Sequence, residues 1–247
     1  MEMKNIIAFD TVDTTVAVDA GELNRILFEQ VSKWGVEEEA IERWREMYGE
    51  NKKDPTFLSE TGPYKARLVR EGLFNIDFYA DVVEFLRQAK RNSFGLVTVS
   101  KGGLDFVRAV YQKNLPEVVD SGGKEYKTYA DFIDGYVSTS DGGFTHKNKT
   151  DPDCYKELIK LGMSKGWGIL TYISDDIKEV EAAQKAWEAL QKEEPEVKRT
   201  AIHIPPADHS AKETPYIKAE DGIYITNSLI RAVSLVTTLA GVRSDER

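Results

Sequence analysis

Three short apolar runs, each followed directly by polar side chains, constrain the fold of this chain more than any other feature of its sequence. The runs and the residues that follow them are Ile6–Phe9 with Asp10, Phe94–Val99 with Ser100, and Gly168–Ile173 with Ser174, Asp175 and Asp176. Continuous apolar runs of this length are typical of strands that are buried on both faces of a parallel sheet. Because the carboxyl ends of parallel strands lie along one edge, we expect these polar side chains to converge there.

Helical patterns alternate with strand patterns along most of the chain. Apolar residues at helical spacing predict helices at 82–89, 104–111, 155–161, 177–190 and 229–239, and shorter strands are predicted at Phe132–Ser138, Thr200–Ile204 and Gly222–Thr226. The stretch Asp208–Asp221 is polar and is predicted to be a loop. This alternation predicts an α/β fold with a doubly wound, Rossmann-like parallel sheet at its core.

The segment Gly21–Gly72 breaks this alternation, because it carries helical patterns and no strand pattern. Its third helix is predicted at Tyr64–Arg70, after the polar stretch Asn51–Pro63, which contains two prolines and a glycine as breakers. We predict that residues 17–77 form a small all-helical cap inserted after the first strand. Residues 1–16 and 78–247 would then form the core, over which the cap can close as a lid.

Composition narrows the classes of partner. The net charge of −9, with no tract of Lys and Arg, disfavours nucleic acid as a partner but is compatible with a small phosphorylated substrate. The single Cys154 excludes an internal disulfide and suits a reducing compartment. We find neither a signal-peptide pattern nor a membrane span, so a cytoplasmic protein with no membrane partner is expected. The sequence indicates no oligomeric state.

Strand-end acids and a lysine segment suggest phosphoryl chemistry. Two acids on separate strands suit Mg²⁺, Ser100 could donate to a phosphate oxygen, and Lys149 could neutralise the transferring group. Backbone N–H groups of Lys101 and Gly102 could bind the same phosphate, although these residues also suit a simple tight turn. Alternatively, Asp10 could have no catalytic role and only mark the end of its strand. Lys147 competes with Lys149 for the role of the lysine, and His203 is predicted to be structural.

Four motifs in this order resemble those of the haloacid dehalogenase-like (HAD) hydrolase superfamily, most of whose members are phosphatases. The matching segments are Asp10 to Thr14 for the motif D-x-D-x-T, LVTVS ending at Ser100, Lys149 to Pro152 for K-P-D-P, and YISDD with Asp175, Asp176 and Glu179. The predicted helical insert looks like the C1-type cap of that superfamily. The resemblance covers almost the whole chain.

The resemblance implies a role for each matching residue. Asp10 would be the nucleophile that forms an aspartyl-phosphate, and Asp10, Asp175 and the backbone carbonyl of Val12 would hold Mg²⁺. Ser100 and Lys149 would orient and neutralise the phosphoryl group, which Thr11, Lys101 and Gly102 would help to bind. Asp176 and Glu179 would lie next to the metal ligands without binding the metal, and Glu179 would orient Lys149 or a metal-bound water. The implied activity is Mg²⁺-dependent hydrolysis of a small phosphorylated metabolite.

The chain departs from the phosphatase pattern at Val12, where the family usually has an Asp as general acid and base, and at Asp13, where it usually has Gly. General acid–base help is worth about 10²–10⁴-fold in rate. Asp13 or a cap residue could substitute, the substrate could have a good leaving group, or the protein could be catalytically impaired and have a binding or regulatory role. A metal-independent dehalogenase-like hydrolase is a further alternative, which the retained Asp175 disfavours. The resemblance to the enolase-phosphatase branch is weaker, again because of Val12.

Overall fold

A computed structural model describes residues 4–119, 125–141, 143–194, 197–205, 217–218 and 222–241. The strands are β1 (Lys4–Phe9), β2 (Val16–Ala17), β3 (Asp77–Phe78), β4 (Gly95–Ser100), β5 (Asn114–Val119), β6 (Glu125–Thr128), β7 (Gly135–Ser138), β8 (Trp167–Ser174), β9 (Thr200–His203), β10 (Ile217–Lys218) and β11 (Tyr224–Ile225). The helices are α1 (Ala20–Val31), α2 (Glu38–Glu50), α3 (Pro55–Arg70), α4 (Val82–Arg91), α5 (Leu104–Tyr111), α6 (Pro152–Ser164), α7 (Ile177–Gln191) and α8 (Leu229–Leu239).

The main sheet has the strand order β10-β11-β9-β8-β1-β4-β7. Six of these strands are parallel, and β10 is antiparallel to β11 at one edge. Strand β1 lies in the middle, between β8 and β4, and pairs Phe9 with Ile173 on one side and with Thr98 on the other. The predicted α/β fold with a Rossmann-like parallel sheet is confirmed.

Helices cover both faces of the sheet because alternate residues of β1 point in opposite directions. Ile7 and Phe9 belong to the core under α4, α5 and α8, whereas Ile6 and Ala8 belong to the core under α6 and α7. A strand buried on both faces needs apolar residues at every position. This requirement explains why the run Ile6–Phe9 has no polar alternation.

Residues 17–77 contain α1, α2 and α3 and no strand after Ala17 until Asp77. The short antiparallel pair β2–β3 joins the two ends of this segment through Val16 and Phe78. Its interior is rich in aromatic contacts, such as the tilted pair Phe28–Phe57, whose ring centroids lie 6.4 Å apart. The division of the chain into a core and a helical cap remains a prediction.

Helix α3 begins nine residues before its predicted start at Tyr64. Asp54 caps it by accepting hydrogen bonds from the backbone N–H groups of Thr56 and Phe57, both at 2.9 Å. Pro55 then occupies the first turn, where its missing N–H costs nothing. Pro63 lies inside the helix, so the prediction that Asn51–Pro63 is an irregular stretch is wrong for most of its length.

One further boundary and one further element differ from the predictions, and one predicted loop is largely untested. Strand β7 starts at Gly135 because residues Tyr129–Phe132 form a 3-10 turn, closed by reciprocal hydrogen bonds between Thr128 and Asp131. The hairpin β5–β6 was not predicted from the sequence. The predicted loop Asp208–Asp221 lies outside the described residues except for Ile217–Lys218, which form β10.

Within the described residues, no helix combines the length and the apolar character that a membrane span requires.

Candidate active site

The polar residues that follow β1, β4 and β8 meet in one cavity. The cavity has a volume of about 320 Å³, and Asp10, Ser100, Lys149 and Asp175 all line it. Because β1 lies between β4 and β8, the three strand ends are direct neighbours. The cavity therefore occupies the position where open α/β sheets bind their ligands.

Asp10 is held in place through its backbone N–H and one oxygen of its carboxylate. Its backbone N–H donates to the Ile173 carbonyl at 2.9 Å, and its Oδ1 accepts from the Thr11 backbone N–H at 2.8 Å. The same Oδ1 lies 2.8 Å from Lys149 Nζ. Burial raises the pKa of Asp10 above its ordinary value against the opposing effect of Lys149, and the charges of Glu179 and Asp175 raise it further.

Lys149 is a buried cation beside Asp10. Its side chain is 1 % exposed and its Nζ also contacts Glu179 Oε2 at 2.7 Å and the Tyr172 hydroxyl at 3.0 Å. Burial by itself would lower the pKa of Lys149, but Asp10 and Glu179 reverse this effect and raise it above its ordinary value. Lys147, the competing candidate, is exposed.

Glu179 holds two lysines behind the nucleophile. Its Oε1 lies 3.0 Å from Lys101 Nζ, and its Oε2 accepts hydrogen bonds from Tyr172 at 2.9 Å and from Ser174 at 3.2 Å. Burial opposes ionisation of this carboxyl, but the neighbouring Lys149 and Lys101 lower its pKa below its ordinary value. These two lysines therefore favour the anionic form of Glu179, which orients Lys149. Tyr172 was not predicted, since nothing in the sequence distinguishes it from other strand residues.

Asp175 is positioned by two residues that the sequence did not single out for this purpose. The Thr14 hydroxyl donates to Asp175 Oδ1 at 2.8 Å, and the Asp175 backbone N–H donates back to the Thr14 hydroxyl at 3.0 Å. His203 Nε2 contacts the Asp175 carbonyl oxygen at 2.9 Å. His203 thus has a structural contact at the site, although it does not line the cavity.

The turn after Asp10 explains one departure from the phosphatase pattern. Asp13 has a φ of 60°, in the left-handed region that Gly, Asn and Asp adopt most readily. Its backbone N–H donates to the Val16 carbonyl at 2.7 Å. An Asp is therefore compatible with the position where the family usually has Gly. Both Val12 and Asp13 line the cavity.

The loop after β4 forms another wall of the cavity, lined by Ser100, Lys101, Gly102 and Gly103. The Ser100 hydroxyl oxygen accepts a hydrogen bond from the Gly102 backbone N–H at 3.0 Å. That bond fixes the direction of the hydroxyl, which keeps its proton available for a ligand.

Thr11 and Asp176 are placed differently from the other predicted residues. The Thr11 side chain is fully buried and hydrogen-bonded to Thr98, and it does not line the cavity, so we assign it no contact with substrate. Asp176 lines the cavity, but its Oδ1 caps α7 by accepting from the Lys178 backbone N–H at 3.0 Å.

The residues fit a magnesium ion. Asp10 and Asp175 offer hard carboxylate oxygens from neighbouring strand ends, and Val12 lines the same cavity. Burial raises the pKa of Asp175, and Asp13 raises it further, which shows that negative charge is crowded here. A divalent cation would relieve this repulsion.

A second group of potential metal ligands in the described residues consists of His146, Asp151 and Asp153. It is partly exposed and its contacts have a structural explanation. Asp151 caps α6 through the Asp153 backbone N–H at 2.9 Å and pairs with His146 Nδ1 at 2.9 Å. We assign no ion to it.

Helix α3 closes the cavity from the side of the helical segment. A Cβ atom added at Gly103 would lie 2.7 Å from the Leu58 carbonyl oxygen and 2.9 Å from Gly62 Cα. Ser59 of α3 also donates to Asp141 Oδ1 at 2.7 Å. These contacts place α3 directly against the loop that follows Ser100.

Comparison of the sequence with protein-family models and with curated proteins gives no match. Among solved structures, the chain is similar to the UTR4 protein (Unknown transcript 4 protein) from Saccharomyces cerevisiae, with a TM-score of 0.56, 16% identity, and coverage of 90% of this chain and 97% of that chain. It is also similar to a HAD phosphatase from Thermococcus onnurineus, with a TM-score of 0.53, 16% identity, and coverage of 98% of this chain and 100% of that chain. The chain therefore has the fold of the HAD-like hydrolases.

Proposed function

We propose that this protein is a Mg²⁺-dependent phosphohydrolase that acts on a small phosphorylated metabolite through an aspartyl-phosphate on Asp10. One observation carries the proposal. The Asp10 carboxylate lies in a ligand-sized cavity, 2.8 Å from the buried Lys149, with Asp175 lining the same cavity from the neighbouring strand end. This arrangement combines a nucleophile, a cation for the phosphoryl oxygens and a second metal ligand.

The reaction follows from these positions. An oxygen of Asp10 attacks the phosphorus atom, the bond from phosphorus to the ester oxygen breaks, and water later attacks the aspartyl-phosphate to release phosphate and restore Asp10. Lys149 and the Ser100 hydroxyl bind the phosphoryl oxygens as charge moves onto them. Mg²⁺, held by Asp10, Asp175 and the Val12 carbonyl, would supply Lewis-acid stabilisation of that charge.

The leaving oxygen needs a proton that Val12 cannot give. We assign this role to Asp13, because it follows Val12 in the same turn and lines the same cavity. The positive φ of Asp13 turns the chain directly after Val12. The carboxyl then acts first as an acid toward the leaving group and afterwards as a base toward water.

The helical segment 17–77 serves as the cap in this proposal. Helix α3 contacts the loop after Ser100 through Gly62, so the segment shields the cavity from solvent. Water exclusion strengthens the electrostatic interactions inside the site.

The test is release of phosphate from p-nitrophenyl phosphate and a panel of small phosphate esters, with Mg²⁺ and with a chelator. We expect turnover that requires Mg²⁺ and vanishes in Asp10→Asn, while the exposed Asp105→Asn on α5 serves as a matched control with full activity. Turnover that survives chelation would contradict the metal requirement and favour the dehalogenase-like alternative. No turnover on any ester would favour a binding or regulatory role, which is also the role that the absence of an Asp at the position of Val12 suggests.

A further inference from the structure

Lys65 on α3 is a buried cation without a partner of opposite charge among the described residues. It is 4 % exposed, and its Nζ lies 4.3 Å from the ring centroid of Phe57. The described part of the chain gives it no hydrogen bond and no carboxylate, and burial alone lowers its pKa to about 7. A buried lysine of this kind is costly, since a charge is stable in an interior only when it is paired.

Asn24 on α1 is a buried amide with an unused acceptor. It is 5 % exposed, and its Nδ2 donates to the Ala20 carbonyl at 2.7 Å. Its Oδ1 is buried and accepts no hydrogen bond from the described residues. Buried polar atoms are hydrogen-bonded in most cases, so an orphan acceptor in a cavity wall calls for a donor from outside the chain.

Both residues line the cavity that contains Asp10. They come from different helices of the segment 17–77, α1 and α3, which pack against each other. Apolar residues such as Leu23 and Leu58 also line the cavity. The cavity thus has polar residues from two parts of the chain, the strand ends and the helical segment.

We propose that Lys65 and Asn24 form a recognition site for the non-reacting end of the substrate, which carries an oxyanion and a neighbouring hydroxyl or amino group. The oxyanion pairs with Lys65, and the hydroxyl or amino group donates to Asn24 Oδ1. Since the phosphate lies against Asp10, this inference rests on the proposed function. It adds to that function the class of substrate, a phosphate ester with a second anionic group.

Charge and size agree with this assignment. The exposed Lys52 and Lys53 also line the cavity, so the helical segment adds positive charge to that of Lys149 and Lys101. A volume of about 320 Å³ holds a small metabolite and not a polymer. A ligand that satisfies Lys65 and Asn24 together is bound because it supplies the partners that both groups lack in the free protein.

The test uses two probes that differ only at the end in question, 3-phosphoglycerate and glycerol 3-phosphate, with the full-length protein. We expect the wild type to prefer 3-phosphoglycerate. Lys65→Met should raise KM for 3-phosphoglycerate by about tenfold or more with kcat retained, and should leave KM for glycerol 3-phosphate within about twofold. Only 3-phosphoglycerate has a carboxylate that pairs with Lys65, so only its binding is weakened, equally in the ground state and the transition state.

Asn24→Leu provides an independent arm. It should reduce the preference for 3-phosphoglycerate over 3-phosphonooxypropanoate, which lacks the hydroxyl group, and leave the preference for a carboxylate intact. Thermal unfolding of both variants checks that they fold. A purely structural role for either residue would change KM for all probes alike, and that result would overturn the proposal.

A binding measurement tests the recognition site independently of the proposed phosphohydrolase activity. Calorimetric titration of 3-phosphoglycerate into Asp10→Asn, with and without Lys65→Met, needs no turnover. Binding that depends on Lys65, together with a wild-type protein that turns over none of the phosphate esters, would support the recognition site and overturn the reaction. Turnover without any preference for the carboxylated probe would support the reaction and overturn the recognition site.

Discussion

Lys149 is paired with two carboxylates at once, and its removal should affect both stability and activity. Lys149→Met leaves Asp10 and Glu179 buried without their shared cation, which should lower the free energy of unfolding by about 3 kcal/mol. We also expect activity to fall by ~10²–10³ because one donor to the phosphoryl oxygens is lost. Urea unfolding and phosphate release measure the two effects. The exposed Lys147→Met is the control, and an equal loss there would contradict the choice of Lys149.

Lys65 should have the opposite effect on stability. Its pKa is lowered from 10.5 in the unfolded chain to about 7 in the folded protein. The folded state therefore binds fewer protons between these values, and wild-type stability should rise with pH across this window. Lys65→Met should raise the free energy of unfolding by roughly 2–4 kcal/mol near pH 6.5, since each pKa unit corresponds to about 1.4 kcal/mol.

The gain from Lys65→Met should shrink as the pH approaches 10, where the unfolded lysine also loses its proton. Urea titrations at pH 6.5 and 9.5 test this, with Lys160→Met on the exposed face of α6 as the control. A gain that is equal at both pH values would show that packing, and not charge burial, is responsible. Such a stability cost at a cavity wall is typical of a residue that binds a ligand.

Asp13→Asn isolates the carboxyl proposed as the general acid and base. Asn also adopts the left-handed region, so the turn should persist and the melting temperature should change little. We expect kcat on an alkyl phosphate to fall by ~10²-fold, and kcat on p-nitrophenyl phosphate to fall much less because its leaving group needs little protonation. Equal losses on the two substrates would assign Asp13 a positioning role instead.

The sequence predicts some site residues much better than others. Asp10, Ser100 and Asp175 follow buried strands, so sheet topology alone brings them together. Thr14 contacts Asp175 across 161 residues of sequence, and no local pattern indicates that contact. Lys65 and Asn24 lie on helices whose orientation depends on tertiary packing. For such residues the helical period predicts a face, but not what that face covers.

Among the elements, α3 connects the helical segment to the strand-end loops most closely. Gly103→Ala places a Cβ 2.7 Å from the Leu58 carbonyl oxygen, so α3 or the loop has to move. We expect a loss of about 1–3 kcal/mol of stability and weaker substrate binding. Thermal unfolding and KM measure these effects.

Gly49→Ala in α2 is the matched control, because nothing lies within 4 Å of an added Cβ there. Alanine should stabilise this helix by about 0.5–1 kcal/mol relative to glycine. If Gly103→Ala were as harmless as Gly49→Ala, the close approach of α3 to the loop would be contradicted.

Element boundaries show where local patterns fail. Amphipathic spacing predicted α8 at Leu229–Leu239 without error, because its apolar face is continuous. Pro55 and Pro63 both indicate breaks in a helix, so the sequence does not predict the start of α3. Proline suits the first turn, however, and can be accommodated elsewhere when packing holds the helix. The sequence does not predict the hairpin β5–β6, whose strands pair with each other outside the main sheet.

At the scale of the whole molecule, metal binding should increase the free energy of unfolding. If Asp10 and Asp175 bind Mg²⁺ only in the folded protein, an excess of about 100 times Kd adds about 2.7 kcal/mol to the free energy of unfolding. We expect the melting temperature to rise with Mg²⁺ and the rise to vanish in Asp175→Asn. Asp153→Asn, in the partly exposed cluster with His146, should retain it. A rise that is lost in Asp153→Asn would place the ion at that cluster instead.

The β2–β3 pair has a consequence for how such a protein can be diversified. Val16 and Phe78 are direct partners, so the chain enters and leaves the helical segment at one point. The sixty-odd residues between them therefore begin and end at neighbouring points, so a change in their number need not move the strands of the sheet. Insertions between adjacent points of a scaffold are tolerated best. Chimeras in which this segment is replaced by another of different length, with the β2–β3 pair retained, should keep the reacting groups and acquire a different substrate specificity.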